Sequence, residues 1–411
     1  MGRSLSTSTE GQPYPGRDET IETFAAHVNR GKAEALKSLG VDIVMGEREG
    51  ARFRDAYSGR WYWNCHCNGG VFNLGHRHPR VVAALRDALD HLDVGNHHLI
   101  SGWRARVAER LAESTGERLP YAMFTPSGSE AVDLAIRLAR ACTGREKVVS
   151  ALGSFHGLAG LGWAAGDPRW VEPFGFGPPG FSHVPFNDAE AMRERVSGDT
   201  AAIIIEAIPA TLGFPPPEPG YMVAVASMAR EHGALLILDE VQTGLGRTGT
   251  TWYWQQEEIA PDIVITGKGL GGGLYPISAA LLRADLEEFF DRHPFAYVSS
   301  FGGAELGCVV AGAVLDEVLE RDFLARVREV GERFETGFAG LPFELRRRGL
   351  TMGLRFEQAE GGVAAAKRLI DAGVFAVFAE HDHRVTQFKP PLIVSDEEAD
   401  EIIAAVSEAL A

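Results

Sequence analysis

Three stretches constrain this chain more than anything else in it: "AAIIIEAI" (201–208), "ALLILDEV" (234–241) and "DIVITG" (262–267). Each is a short, nearly unbroken aliphatic run rich in β-branched residues. A strand with one face in water alternates apolar and polar side chains. A strand without alternation must be covered on both faces, as in a parallel sheet sandwiched between helices. The segments between the runs supply those helices. "PGYMVAVASMAREHG" (219–233) has helical spacing and a terminal glycine, and "SEAVDLAIRLARACTG" (129–144) puts apolar residues 131, 132, 135, 136 and 138 on one face, with Gly144 at its stop. From about residue 70 the chain therefore reads as an α/β fold with a mostly parallel sheet.

The C-terminal part follows another pattern. Residues 305–341 read as one or two long amphipathic helices, "FELRRRGLTMGLRFE" as β-rich, and "PPLIVSDEEADEIIAAVSEAL" as leading into a final helix. "GARFRDAYSGRWYWNC" looks like a hairpin and is expected to pack with that later region. The 411 residues are enough for a large domain with a smaller companion. The expected division is 1–70 as an N-terminal arm and part of a small domain, 71–315 as the large domain, and 316–411 as the rest of the small one. Residues 1–20, polar throughout, are expected to form a disordered or loosely docked arm.

A net charge of −16 leaves no dense basic face for nucleic acid. No apolar run is long enough to cross a membrane, and the N-terminus lacks the stretch of a signal peptide, so the expected location is cytoplasmic. Cys65, Cys67, Cys142 and Cys308 are too few and too scattered for a disulfide framework, which fits a reducing compartment. The stretch Cys65-His66-Cys67 has no second ligand cluster, and strand or cavity lining is the expected role, not metal binding.

Asp239 and Glu240 end the second aliphatic run, where a nucleoside triphosphatase would present carboxylates to magnesium. That chemistry needs a phosphate loop of the form G-x-x-x-x-G-K-[ST], and the chain has none. Lys268 points elsewhere. It follows Asp239 by 29 residues, about one helix and one strand, so neighbouring parallel strands could deliver an acid and an amine to the same sheet edge. The glycines around it suit an amine that must be neutral to attack a carbonyl. A third element, "FTPSGSEAVDLA" (124–135), sets Ser127, Gly128 and Ser129 at a helix start, where free N–H groups bind phosphate. Together these are the requirements of pyridoxal 5'-phosphate: a lysine to form the Schiff base, an acid to keep the pyridine nitrogen protonated, and a helix end for the phosphate.

With "FNLGHRHP" (72–79), "FHG" (155–157), "LLILDEVQTGLGRTG" (235–249), "PDIVITGKGLGGGLYPISA" (261–279) and "SSFGGAELGC" (299–308), the chain resembles the class III, or subgroup II, aminotransferases of fold type I. The likeness spans about residues 45–405. It implies a large domain with a seven-stranded-type, mostly parallel sheet, and a smaller α+β domain formed by the N- and C-terminal segments. It also implies a homodimer. By this resemblance Lys268 is the Schiff-base lysine and Asp239 the partner of the pyridine nitrogen. Gln242 lies near the phenolic oxygen, Phe155 stacks on the ring, and Gly128 and Ser129 hold the phosphate, with Ser127, His156 and Glu206 in the same cofactor-facing set. Ser300 stands where the family has a threonine reaching the phosphate across the dimer interface. Arg247 receives no role.

Two positions depart from the family. Members that use glutamate carry an arginine shortly before a "PPL" element, and a glutamate that neutralises it. Here those positions are Gln387 and Thr211. Loss of both is coherent, since either charge alone would be left unpaired. The expected enzyme is an aminotransferase acting on small amines and carbonyls by a ping-pong mechanism, without the glutamate-reading switch and with Lys389 as another cation for the substrate. Decarboxylation, racemisation, elimination and aminomutase chemistry on the same fold stay open at this point, as does a non-catalytic binding protein.

Overall fold

The computed structural model describes residues 12–411. Its centre is a seven-stranded sheet in the order Tyr121–Thr125, Ser278–Leu282, Ile263–Thr266, Leu235–Asp239, Thr200–Glu206, Lys147–Ala151 and Phe181–Val184. Ser278–Leu282 runs antiparallel to both its neighbours, and the other pairings are parallel. All residues of the three aliphatic strands are buried. The pleat sends Ile204, Ile237 and Ile265 to one face, beneath helix Gly128–Thr143, and Ile205, Leu238 and Val264 to the other. Helix Gly128–Thr143 ends on Gly144 at φ 67°, the left-handed stop that its sequence predicts.

Two four-stranded sheets flank this layer. In one, the hairpin Arg52–Asp55 and Trp61–Asn64 extends Met45–Glu49, and Val374–Phe375 joins it in parallel, so the early hairpin does pair with the C-terminal region. The other holds Glu344–Arg348, Thr351–Arg355, Val385–Phe388 and Val377–Phe378. Residues 305–341 form two helices with different partners. Glu305–Val318 packs on Pro79–Leu89 and Gly102–Ser114, whereas Phe323–Gly337 packs on the final helix Asp396–Leu410 around Phe334 and Phe388. The change of partner falls at 319–322.

The polar arm is corrected in part. Residues 1–11 lie outside the described ones, but 17–20 open the helix Arg17–His27. Arg17 bonds Asp55, and Thr20 Oγ1 lies 2.5 Å from the Tyr57 hydroxyl. This helix buries no residue and has no apolar stripe, so its docking is polar and leaves no periodic signal. No helix among the described residues is long and apolar enough to cross a membrane.

Candidate active site

The parallel register aligns the ends of three strands. Glu206 pairs with Asp239, and Asp239 with Ile265, one residue before the strand Ile263–Thr266 ends. Two residues beyond that strand is Lys268, so the acid and the amine reach the same carboxyl edge. Lys268 is a non-glycine residue at φ +43°, inside a turn flanked by Gly267 and Gly269. A Cβ built on Gly69, in the turn after the early hairpin, would lie 3.3 Å from Lys268 Nζ and 3.5 Å from Gln242 Oε1. Gly69 thus leaves room beside the amine, and the "NCHCN" stretch before it runs from the end of strand Trp61–Asn64 into a tight turn. Burial holds the Lys268 ammonium below its ordinary range, with Asp239 and Glu206 pulling the other way.

Asp239 has both oxygens engaged. His156 Nδ1 lies 2.8 Å from one, and the Val241 N–H donates to the other at 3.1 Å. The far ring nitrogen of His156, Nε2, is buried without a hydrogen-bond partner among the described residues. Glu206 accepts the Phe155 N–H at 2.8 Å, and burial pushes its carboxyl up to about 7. The Phe155 ring meets Trp170 edge to face at 5.3 Å.

Helix Gly128–Thr143 starts beside this edge. Ser127 caps it, its hydroxyl oxygen accepting the Glu130 N–H at 3.3 Å. The Cβ position of Gly128 would lie 3.3 Å from the Val241 side chain, which brings the helix start against the loop after Asp239. Gly157 stands at φ +90°, and a Cβ there would come within 1.9 Å of Ser129 Oγ. The sequence "FHG" contains this glycine, but nothing in it shows what the glycine approaches.

Gln242, Gln387 and Lys389 form one cluster. Lys389 is almost fully buried and donates to Gln242 Oε1 at 3.2 Å and Gln387 Oε1 at 2.9 Å. Thr211 is half-buried and donates its hydroxyl to the Gly153 carbonyl. His66 is half-buried nearby, and burial together with the Lys389 and Lys268 charges holds it well below the usual histidine range. Ser300 is not in this cluster: it is exposed on the loop before helix Glu305–Val318. Arg247, without a role from sequence, is fully buried and donates to Asn73 Oδ1 at 2.6 Å and to the carbonyls of Pro390 at 2.6 Å and Leu350 at 3.2 Å.

The arrangement has known counterparts. An aminotransferase of Archaeoglobus fulgidus, named only as uncharacterized, is 46% identical over 393 residues, covering 94% of this chain and 92% of that protein. The ornithine aminotransferase of Toxoplasma gondii, whose structure was solved with partial occupancy of pyridoxal phosphate, superposes with a TM-score of 0.88 at 26% identity, over 96% of this chain and 94% of that one. An N-acetylornithine aminotransferase from Stenotrophomonas maltophilia gives 0.77 at 28% identity, over 92% and 97%. The family model for class-III aminotransferases matches residues 35–410, and the chain belongs to that pyridoxal-phosphate-dependent family.

Proposed function

We propose that this aminotransferase moves an amino group from an amine or amino-acid donor to a carbonyl acceptor in two half-reactions, and that it does so without an arginine–glutamate switch for glutamate. The observation that carries the site assignment is the convergence of Asp239, Lys268 and the Gly128–Ser129 helix start on one sheet edge. The residues present fit pyridoxal phosphate. Gly69 leaves space beside the amine that a Cβ would fill, and Gly157 lets its loop close against Ser129 at the helix start where a Cβ would clash.

When bound, the cofactor supplies an aldehyde to carry the amino group and a pyridinium ring to store the electron pair of a broken C–H bond. Asp239, fixed by His156 and Val241, is set to hold a proton on the ring nitrogen. The N–H groups of Gly128 and Ser129 take the phosphate. Phe155, its backbone pinned by Glu206, walls the ring face. Lys268 moves the proton: burial favours its neutral amine, the form that takes a proton from the substrate carbon and returns it.

The substrate reading rests on Thr211 and Gln387. The carboxylate that the family arginine would grip meets here a threonine hydroxyl already committed to Gly153 and a glutamine oxygen already accepting from Lys389. Half-reaction spectroscopy tests both parts of the proposal. Alanine and simple amines should bleach the visible band of the bound cofactor faster than glutamate does. Efficient use of glutamate would overturn the substrate part, and a visible band that survives Lys268→Ala would overturn the role of the lysine.

The homodimer is supported by the surroundings of Ser300. Val298 and Phe301 in its loop are exposed, as are Leu99, Ile100 and Trp103, and a common groove is lined by His97, Arg104, Phe295 and Ser299. Large apolar side chains clustered in water mark an interface. Sedimentation should find a dimer, weakened by Ile100→Glu; a monomeric parent protein would sink this part.

A further inference from the structure

Lys389 is a buried lysine that pairs with no carboxylate among the described residues. Its partners are two amide oxygens, Gln242 Oε1 at 3.2 Å and Gln387 Oε1 at 2.9 Å, and its Nζ sits 4.9 Å from the centre of the Phe214 ring. Nor can it withdraw. Its backbone N–H donates to the Cys65 carbonyl at 2.5 Å, the next carbonyl, of Pro390, is held by Arg247, and the preceding Phe388 is packed against Phe334 and Phe338. Burial and the neighbouring Lys268 and Arg247 charges press its ammonium well below the ordinary lysine range. A group kept under such pressure by a rigid frame is rarely packing alone.

Its geometry tells what it does. An ammonium has three donors and no acceptor, so an amide next to it must turn its oxygen inward. We propose that Lys389 is a positioning residue which locks the Gln242 amide, so that Gln242 offers the bound cofactor N–H donors. The Gln242 oxygen that Lys389 holds lies 3.5 Å from the Cβ position of Gly69, which is 3.3 Å from Lys268 Nζ, while Lys389 itself is almost fully buried, so in this proposal the lysine acts through the amide. N–H donors at that place stabilise negative charge on the ring oxygen of pyridoxal phosphate and favour loss of a proton from its linkage to Lys268. The proposal rests on the site assignment above.

The test is a pH titration of the visible band of the holoenzyme, without substrate. The charged and titratable groups around the site (Lys268, Asp239, Glu206, His156, His66, Arg247 and Cys67) are common to all variants. Lys389→Met should raise the midpoint by about one pH unit, the scale of one charge-assisted hydrogen bond. Lys389→Arg, which keeps donors and charge, should restore most of it. In a Gln242→Leu background the same Lys389→Met change should shift nothing further, because the relay is already cut. An unmoved midpoint in Lys389→Met would overturn the proposal. So would an equal shift with and without Gln242, since that would be a direct effect of the charge. Lys389→Gln, one atom shorter and unable to span to Gln242, should give the same shift as methionine and serves if methionine leaves the chain insoluble. A wild-type protein with no visible band would instead refute the cofactor site itself.

Discussion

Asp239 and Glu240 are adjacent carboxylates with different tasks, and the alternation of a strand end separates them. Asp239 turns to His156 at the sheet edge. Glu240 turns the other way and accepts the Tyr253 N–H at 2.8 Å, the Trp254 N–H at 3.0 Å and the Thr243 hydroxyl at 3.1 Å, closing the loop that follows the strand. Burial pushes its carboxyl up from 4.5 to about 7, against the pull of those donors. Because the folded value stands above the unfolded one, Glu240 contributes its full stability below pH 4.5, and that contribution is lost as pH rises through 7. Glu240→Gln cannot titrate. Urea melts from pH 4.5 to 8 should show the variant gaining on the parent by up to roughly 3 kcal/mol. A difference that stays flat with pH would mean that Glu240 is ionised throughout.

At the scale of elements, the site is made where a helix start meets a loop from elsewhere. Gly157, at φ +90°, lets the loop after strand Lys147–Ala151 lie against Ser129 at the head of helix Gly128–Thr143. Gly157→Ala would strain the backbone and drive Ser129 from its place, at a cost of about 1–3 kcal/mol. Cofactor affinity should fall at least tenfold, measured by fluorescence titration of the apoenzyme; unchanged affinity would remove Ser129 from the phosphate site. The core helices and strands were readable because their apolar periods are strong. The helix Arg17–His27 was not, because polar side chains hold it to Asp55 and Tyr57 and burial played no part.

Across the whole molecule, Arg247 joins the loop after the central strand Leu235–Asp239 to the C-terminal sheet region. Asn73 accepts on one side, and the carbonyls of Leu350 and Pro390 on the other. Arg247→Leu would leave those acceptors buried and unpaired, at about 3 kcal/mol or more. Urea unfolding should move accordingly, with faster proteolytic cutting near 319–322, where the chain changes packing partner; unaltered melting would show that the loop closes without the arginine. The sequence by itself determined the α/β layer, the acid and amine at one sheet edge, and the capped helix start at Ser127, because each follows from local period or from spacing along one chain. The tertiary structure alone decided what Gly69, Gly157, Arg247 and Lys389 touch. Those contacts join segments up to about three hundred residues apart, and no local pattern encodes a partner that only folding brings near.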